Sequence, residues 1–246
     1  MAVEFSAFTG IIAPDQKVID YLKDRPFTPN QKWSDVVNYW NSLYSDKDAI
    51  FDKVIEIDSS QIYPSVSWGL SPEQSIAIND SIPNINEITN PDKKEELKSS
   101  LIYMGLESGQ SLMHLPIDAA FIGSCTNARL DDLRSAAKIL KGNKVSPDVL
   151  AICTPASADI KRNAEREGID QIFKDSGFQW REPGCSLCFY AGGEGFLPKQ
   201  RVITSTNRNF RGRQGPAVRS HLASPATVAA SAIAGKIISS IEVSKK

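Results

Sequence analysis

Four cysteines are the residues with the most distinctive chemistry in this 246-residue chain. Cys185 and Cys188 form a C-x-x-C pair inside REPGCSLCFYAGG, whose proline and glycines predict a loop. Cys125 lies upstream in FIGSCTN, in a turn between a predicted strand and a predicted helix, where the helix dipole would favour a thiolate. Cys153 lies inside the apolar run VLAICT, so we interpret it as a buried core thiol.

Three loop cysteines suit several kinds of chemistry. A lone C-x-x-C pair is typical of a redox dithiol or of half a zinc site. A structural zinc site needs four ligands, usually in two close pairs, and this chain has only two histidines. Three thiolates suit an iron–sulfur cluster with one iron left open, and an open iron can bind a hydroxyl or a carboxylate. The spacing favours the cluster and leaves the other two alternatives open.

The second chemical feature is a basic segment without acidic residues, from residue 196 to residue 241. Within it, NRNFRGRQG places Arg208, Arg211 and Arg213 among glycines and amide side chains. Guanidinium groups recognise carboxylates through paired hydrogen bonds, so a small anionic ligand is predicted here. An RNA-backbone patch is an alternative, but only Phe210 is available there to stack on a base. A solvated basic surface is the simpler interpretation for Lys199, Arg201 and Lys236.

The composition limits the classes of function. Hydrophobic residues make up 41% of the chain and charged residues 23%, and the net charge of −1 gives no overall field that would attract nucleic acid or membranes. No apolar run approaches the roughly 20 residues of a membrane-spanning helix. The first residues, MAVEFSAFTG, lack the features of a signal peptide, so a cytoplasmic protein with reduced thiols is expected. Both histidines, His114 and His221, are expected to be structural.

The elements that must position these residues follow two patterns. Up to about residue 55 the spacing of apolar residues predicts helices, followed by an extended run at Val54, Ile55 and Ile57. Residues 70–96 are rich in proline, asparagine, aspartate and serine, which predicts a linker or a surface excursion. Farther along, the strands DAAFIGS, VLAICT and RVITST alternate with helices, the last of which has Ser224 as N-cap and Pro225 at its first position.

Alternating strands and helices predict an α/β domain with a mainly parallel sheet. Ligands bind at the carboxyl ends of the strands in such sheets. Cys125, the loop after Thr154 and the segment TNRNFRGRQG each follow a predicted strand directly. We therefore expect these three polar segments on one edge of the sheet.

The motifs FIGSCTNARLDDLRSAAKIL, EPGCSLC and STNRNFRGRQG jointly resemble the aconitase superfamily, and within it the large subunits of 3-isopropylmalate dehydratase. The resemblance covers essentially the whole chain, with GIIAPD, YLKDRPFTP and WGLSPEQ as further matches. It implies that residues 76–246 form an aconitase-like α/β domain carrying the cluster cysteines. Residues 1–75 would then be the remnant of a preceding, partial α/β domain.

The resemblance also implies a site and a reaction. Cys125, Cys185 and Cys188 would hold a [4Fe–4S] cluster whose fourth iron contacts the substrate. The residues expected at the substrate are Glu4, Asn207, Arg208 and Arg213. The reaction is the reversible isomerisation of 2-isopropylmalate to 3-isopropylmalate by dehydration and rehydration, in leucine biosynthesis. A homoaconitase-like hydro-lyase and a non-catalytic iron–sulfur fragment are the alternatives.

The resemblance implies partners as well, because the family's large subunit is about twice as long as this chain. In this family the base that removes the carbon-bound proton is a serine on a separate small subunit. The absent N-terminal half carries other active-site residues, so a chain or segment that supplies it is a second expected partner. By itself the chain is expected to have an open cluster site and little or no activity.

Two local departures from the family pattern carry structural expectations. Phe189 and Tyr190 follow Cys188 where smaller or less aromatic residues are usual, so they are expected to crowd the cluster or to change its exposure. Ala156 stands where the family tends to have glycine, and alanine adopts a positive φ less readily.

Overall fold

The computed structural model describes residue 2, residues 7–29 and residues 32–243. Glu4, expected at the substrate, lies outside the described residues. The chain divides into two compact units, Met1–Gln61 and Ile62–Lys246. Strand β1 (Ser65–Ser67) pairs antiparallel with β2 (Ser75–Ala77), so residues on both sides of position 75 share the second unit. The assignment of residues 1–75 to a preceding domain stays a prediction.

The first unit contains two of the expected helices. Helix α1 (Gln16–Leu22) begins after Asp15, whose side chain accepts a hydrogen bond from the Val18 N–H at 2.9 Å. Helix α2 (Trp33–Asn41) carries an edge-to-face pair of indole rings, Trp33 and Trp40, with centroids 5.6 Å apart.

The extended run in the first unit does not form a strand. Val54, Ile55 and Ile57 are 70%, 69% and 73% exposed, and this segment has no strand partner among the described residues. β-branched residues favour a strand only where a neighbouring strand and a packed face exist, so the prediction of an element here is wrong.

The segment from residue 70 to residue 96 is not a linker. It contains β2 and leads into helix α3 (Pro91–Met104), which starts after the N-cap Asn90. Ile78 and Ile82 are each only 2% exposed and belong to the main hydrophobic core. Frequent turn-forming residues shape the path of this segment, while a few apolar side chains fix it to the core.

The second unit is built on a five-stranded parallel sheet, as the alternation of strands and helices predicted. Its strand order is β5-β4-β3-β6-β7, and every neighbouring pair is parallel. The strands are β3 (Ala119–Ile122), β4 (Leu150–Cys153), β5 (Gln179–Trp180), β6 (Arg201–Thr204) and β7 (Arg219–Leu222). The helices are α4 (Leu130–Leu140), α5 (Ala158–Arg166), α6 (Ile169–Ser176), α7 (Pro225–Ala234) and α8 (Ser240–Val243). No helix in the described part of the chain combines the length and apolar character needed to cross a membrane.

The two faces of the sheet carry different cores, because alternate residues of a strand point to opposite faces. Ala120 and Ile122 belong to the large core that includes buried residues of α4 and α7. Ala119 and Phe121 belong to a smaller cluster completed by Leu187, Cys188, Phe196 and Val218, which come from the loops around β6. Cys188 of the C-x-x-C pair therefore lies on the face of the sheet that is covered by loops, which we call the loop face.

Candidate metal centre at the carboxyl ends of the strands

The strand order places a topological switch point, here called the crevice, between β3 and β6. From β3 the chain continues through α4 to β4 on one side, and from β6 it continues to β7 on the other. Where successive connections leave neighbouring parallel strands in opposite directions, the loops separate and leave room for a ligand. Cys125 follows β3 and Asn207 follows β6, so both flank this crevice.

The two loops of the crevice are tied together by Ser205, which is fully buried. Its Oγ accepts from the Gly123 N–H at 3.1 Å and lies 3.2 Å from the Asn127 carbonyl. In return, the Asn127 amide donates to the Ser205 carbonyl at 2.9 Å. A Cβ on Gly123 would lie 2.2 Å from the Phe121 ring, so only glycine allows the chain to turn this closely after β3.

Cys125 has an exposed side chain in this turn. The preceding residue, Ser124, has a φ of 87°, which is uncommon for a residue other than glycine, and its hydroxyl lies 3.0 Å from that of Thr126. Helix α4 begins only after its N-cap Arg129. Cys125 lies four residues before this N-cap, and the effect of the helix dipole on its thiol stays a prediction.

Cys185 and Cys188 begin and end one tight turn. The Cys188 N–H donates to the Cys185 carbonyl at 2.8 Å, and Ser186 between them has a φ of 42°. Leu187 and Cys188 are buried in the loop-face core, while Cys185 is exposed. A Cβ on Gly184 would meet nothing within 4 Å, so the chain just before Cys185 borders open space.

Cys153 lies on the opposite face of the sheet. It is fully buried in the helix-covered core, and burial raises the pKa of its thiol well above the usual value. Because the sheet separates Cys153 from Cys188, these two thiols cannot bind the same metal centre. The interpretation of Cys153 as a core residue agrees with this position.

The three loop cysteines fit a thiolate-bound cluster by donor type. Their segments lie at one edge of the sheet, and soft sulfur donors are the ligands of iron–sulfur clusters. Within the described residues, however, no three His, Cys, Asp or Glu side chains converge closely enough to hold a metal ion. The cysteine side chains therefore do not form a preassembled site, and binding a cluster requires them to come closer together.

Arg213 contacts Cys188, one of the three candidate cluster-binding cysteines. Its Nη2 donates to the Cys188 Sγ at 3.4 Å, and its guanidinium lies 5.1 Å from the Phe189 ring centroid and 5.3 Å from that of Phe210. Phe189 thus stacks on Arg213 while remaining 49% exposed, and its effect on a cluster stays a prediction. Arg213 Nε is buried without a hydrogen-bond partner among the described residues, and the same holds for Asn207 Oδ1. Each such atom needs a partner outside the described residues, such as a water, an ion or a ligand.

The other two arginines of the motif differ from Arg213. Arg211 donates to the Ser99 hydroxyl and stacks on the Tyr103 ring at 5.2 Å, so it binds to helix α3. The Arg208 carbonyl accepts from Thr206 Oγ1 at 3.4 Å, which fixes its backbone beside the crevice. The side-chain amide of Asn209 donates to the Gly69 carbonyl at 2.6 Å, which fixes the position of the next residue along the chain.

Arg201 is not part of a solvated basic surface, and that interpretation is wrong for this residue. It is 8% exposed and donates to His221 Nε2 at 2.8 Å and to the Met104 carbonyl at 3.0 Å. Burial, with Arg219 nearby, lowers its pKa to about 10, so the guanidinium stays charged at neutral pH. His221 is a structural residue, as expected, and Lys199 is exposed.

Ala156 adopts no positive φ, so its replacement of glycine causes no strain. Its N–H donates to the Ala128 carbonyl at 3.1 Å, which joins the loop after β4 to the loop after β3. The three polar segments expected at one edge of the sheet therefore do lie there.

The sequence pattern missed two residues that hold the site together, Ser205 and Gln214. Gln214 is 1% exposed and donates to the Leu187 carbonyl at 2.9 Å. Its sequence signal is an uncharged amide side chain in the otherwise basic and glycine-rich run RGRQG. Ser205 offered none beyond its place at the end of a strand.

Comparison with known proteins relates this geometry to a family. Residues 1–235 match the family described as the aconitase family (aconitate hydratase). The chain belongs to the aconitase family. This membership agrees with the α/β fold and with the resemblance carried by the cysteine and arginine motifs.

Individual aconitase-family relatives are similar over nearly the whole chain. The 3-isopropylmalate dehydratase large subunit of Cupriavidus necator is 54% identical over 238 residues, which cover 96% of the chain and 89% of that protein. The large subunit 1 of Bradyrhizobium diazoefficiens is 47% identical over 238 residues, covering 96% of the chain and 50% of that protein. The large subunit of Psychrobacter cryohalolentis is 46% identical over 240 residues, with coverages of 97% and 51%. The chain thus spans about half the length of the last two relatives and most of the first.

Proposed function

We propose that this chain is the cluster-binding part of a 3-isopropylmalate dehydratase large subunit. The observation that carries the proposal is the contact of Arg213 with Cys188, in the tight turn that also carries Cys185. The similarity to large subunits of that name supports the choice of substrate. A related hydro-lyase acting on another malate derivative would use the same groups.

In the proposal, Cys125, Cys185 and Cys188 hold a [4Fe–4S] cluster with three thiolates. When bound, the cluster would supply an iron that acts as a Lewis acid on the substrate hydroxyl. The chain's own contribution is to supply the thiol ligands, to bury one of them, Cys188, and to place a cation beside it. At Cys188 this cation is Arg213, whose Nη2 donates to the sulfur at 3.4 Å.

The arginine motif binds the substrate carboxylates in the proposal. Arg213 Nε and Asn207 Oδ1 are buried polar atoms without partners in the described structure. A carboxylate oxygen would pair with the first and a substrate hydroxyl with the second, since the one donates and the other accepts. Arg208, beside the crevice, would bind the second carboxylate. Glu4 is proposed to act at the substrate on the strength of the sequence resemblance alone.

The proposed reaction needs groups that the described residues do not contain. A serine of a small subunit would remove the carbon-bound proton, and a further chain or segment would supply the remaining half of the large subunit. Residues 76–246 would be the aconitase-like domain that carries the cluster cysteines, with residues 1–75 a remnant of the domain before it. The chain alone is then expected to bind the cluster but to turn over little or no substrate.

The test is anaerobic reconstitution of the chain with iron and sulfide, followed by metal analysis and visible spectroscopy. Four serine variants are compared, Cys125→Ser, Cys185→Ser, Cys188→Ser and Cys153→Ser. The first three are expected to lose most of the iron and the brown absorbance, because each removes a ligand. Cys153→Ser is the matched control and keeps both, because its side chain lies on the other face of the sheet.

Activity is measured afterwards by adding a small subunit and an N-terminal half to the loaded chain, with 2-isopropylmalate as substrate. Cluster binding with restored isomerisation supports the whole proposal. A bound cluster without restored activity would reduce the function to iron–sulfur binding. Stoichiometric zinc, or no metal after reconstitution, would refute the cluster itself.

A further inference from the structure

Gln214 occupies a central position between the C-x-x-C turn and the sheet. Its Nε2 donates to the Leu187 carbonyl at 2.9 Å, and its Oε1 accepts from the Ser220 hydroxyl of β7 at 2.7 Å. Thr204 Oγ1, at the end of β6, lies 3.4 Å from the same Nε2. One buried amide thus connects the turn that carries Cys188 to two strands.

The orientation of this amide is determined by its partners. A carbonyl oxygen such as that of Leu187 can only accept, so the nitrogen of the side chain must face it. The Ser220 hydroxyl then donates to the oxygen. Both partners are on buried residues, Leu187 at 2% and Ser220 at 4% exposed. A group that lost its partner here would have no water to replace it, which makes the connection costly to break.

The backbone around Gln214 holds the loops together independently of its side chain. The Tyr190 N–H donates to the Arg213 carbonyl at 2.8 Å, and the Phe196 N–H donates to the Gln214 carbonyl at 2.9 Å. Replacing the side chain leaves these bonds in place. The loop is therefore expected to keep its path while the C-x-x-C turn loses its side-chain anchor.

We propose that Gln214 is a positioning residue that fixes Cys188 in the geometry needed to bind the cluster. It acts through the Leu187 carbonyl, one residue before the ligand, and needs no contact with the substrate. The inference rests on the proposed function for its purpose, but its structural part, the immobilisation of the Cys188 thiol, concerns the metal-free chain as well.

The test is the rate at which iodoacetamide alkylates each cysteine of the metal-free, full-length chain, resolved by mass spectrometry of peptides. In Gln214→Met, which keeps the volume and removes the amide, Cys188 is expected to react about tenfold faster, the factor for losing one buried hydrogen bond. Exposed Cys125 serves as a reference for the reagent. Buried Cys153 reports global unfolding, because it reacts only when the core opens.

The control variant is Gln74→Met. Gln74 is also buried, at 6% exposure, and accepts from the Leu70 N–H at 2.7 Å, but it lies in the β1–β2 hairpin. It is expected to leave the Cys188 rate at the wild-type value. If Gln214→Met does not fold, Ser220→Ala replaces it, since loss of the Ser220 hydroxyl frees the amide and raises the Cys188 rate in the same direction.

Faster alkylation of Cys188 with Cys153 unchanged supports a positioning role. An unchanged Cys188 rate, or equal increases at Cys188 and Cys153, would overturn it. In the reconstituted protein the same variant is expected to lose iron faster in air. A chain that binds no iron at all would refute the proposed function, while the alkylation result would still decide the role of Gln214.

Discussion

Lowering the pH from 7 to 5 is expected to destabilise the protein through one buried side chain, His221. Its Nδ1 lies 2.7 Å from the Ser67 carbonyl and its Nε2 2.8 Å from Arg201 Nη1. A carbonyl only accepts and a guanidinium only donates, so Nδ1 carries the proton and the ring is neutral. Protonating Nε2 would remove the acceptor for Arg201 and place two positive charges together.

The magnitude follows from the pKa of His221. Burial first, and the charge of Arg201 second, lower the pKa to about 3, although the hydrogen bond to Ser67 acts in the opposite direction. An unfolded histidine has a pKa of about 6.5. The unfolded chain therefore binds the extra proton below about pH 6.5 and the folded chain does not. The stabilisation is fully present above that pH and is lost as the pH falls towards 3, with about 2 kcal/mol lost between pH 7 and pH 5.

The assay is equilibrium urea unfolding at pH 7 and pH 5, followed by circular dichroism. The chain has only two histidines, so two variants separate their effects. His221→Gln keeps an acceptor for Arg201 but does not titrate, and the loss between the two pH values is expected to shrink to below about 0.5 kcal/mol. His114→Gln, at an exposed position, is expected to retain the full loss. An equal loss in the wild type and His221→Gln would refute the reasoning.

Two further predictions concern positions where the chain supplies matched controls. Gly105→Ala is expected to lower the free energy of unfolding by about 1 to 2 kcal/mol, since φ is 60° and a Cβ there, 2.6 Å from the Arg219 guanidinium, would displace that side chain from the Tyr103 carbonyl. Gly142→Ala, with φ of 78° and open space, should lose only about 1 kcal/mol in the same urea titration. In the reconstituted protein, Arg213→Lys is expected to weaken dicarboxylate binding about tenfold by calorimetry, because a lysine cannot replace a guanidinium at a paired site. Arg211→Lys, which changes a side chain bound to α3, should leave that affinity unchanged. An equal loss of affinity in both variants would contradict the role of Arg213 in binding the dicarboxylate.

Much of the fold could be predicted from local patterns. Strands β3, β4 and β6 are short apolar runs, and some of the helices have clear start signals, as at Ser224 and Pro225, where the Ser224 hydroxyl accepts from the Thr227 N–H at 3.3 Å. Such signals act within a few residues, so they survive without knowledge of the rest of the chain. The short strands β5 and β7 carry no comparable signal, because their pairing partners decide them.

Where the sequence pattern failed, the deciding contact was distant in sequence. Val54, Ile55 and Ile57 have strand-forming side chains but no neighbouring strand. Ile78 and Ile82 lie among turn-forming residues, yet they are buried by the main core. A local pattern measures preference, whereas burial depends on which surfaces the rest of the fold brings near.

The sequence by itself determined the chemical inventory of the site: three loop thiols, a spare core thiol and a group of arginines after a strand. It also determined that parallel strands would bring these segments to one edge. Only the tertiary structure decided which arginine contacts a cysteine and which binds helix α3, because both lie in one short motif and differ only in what surrounds them. It also assigned Arg201 to the interior and Gln214 to the anchor of the C-x-x-C turn, since a polar side chain becomes structural only when the fold removes water and supplies a partner.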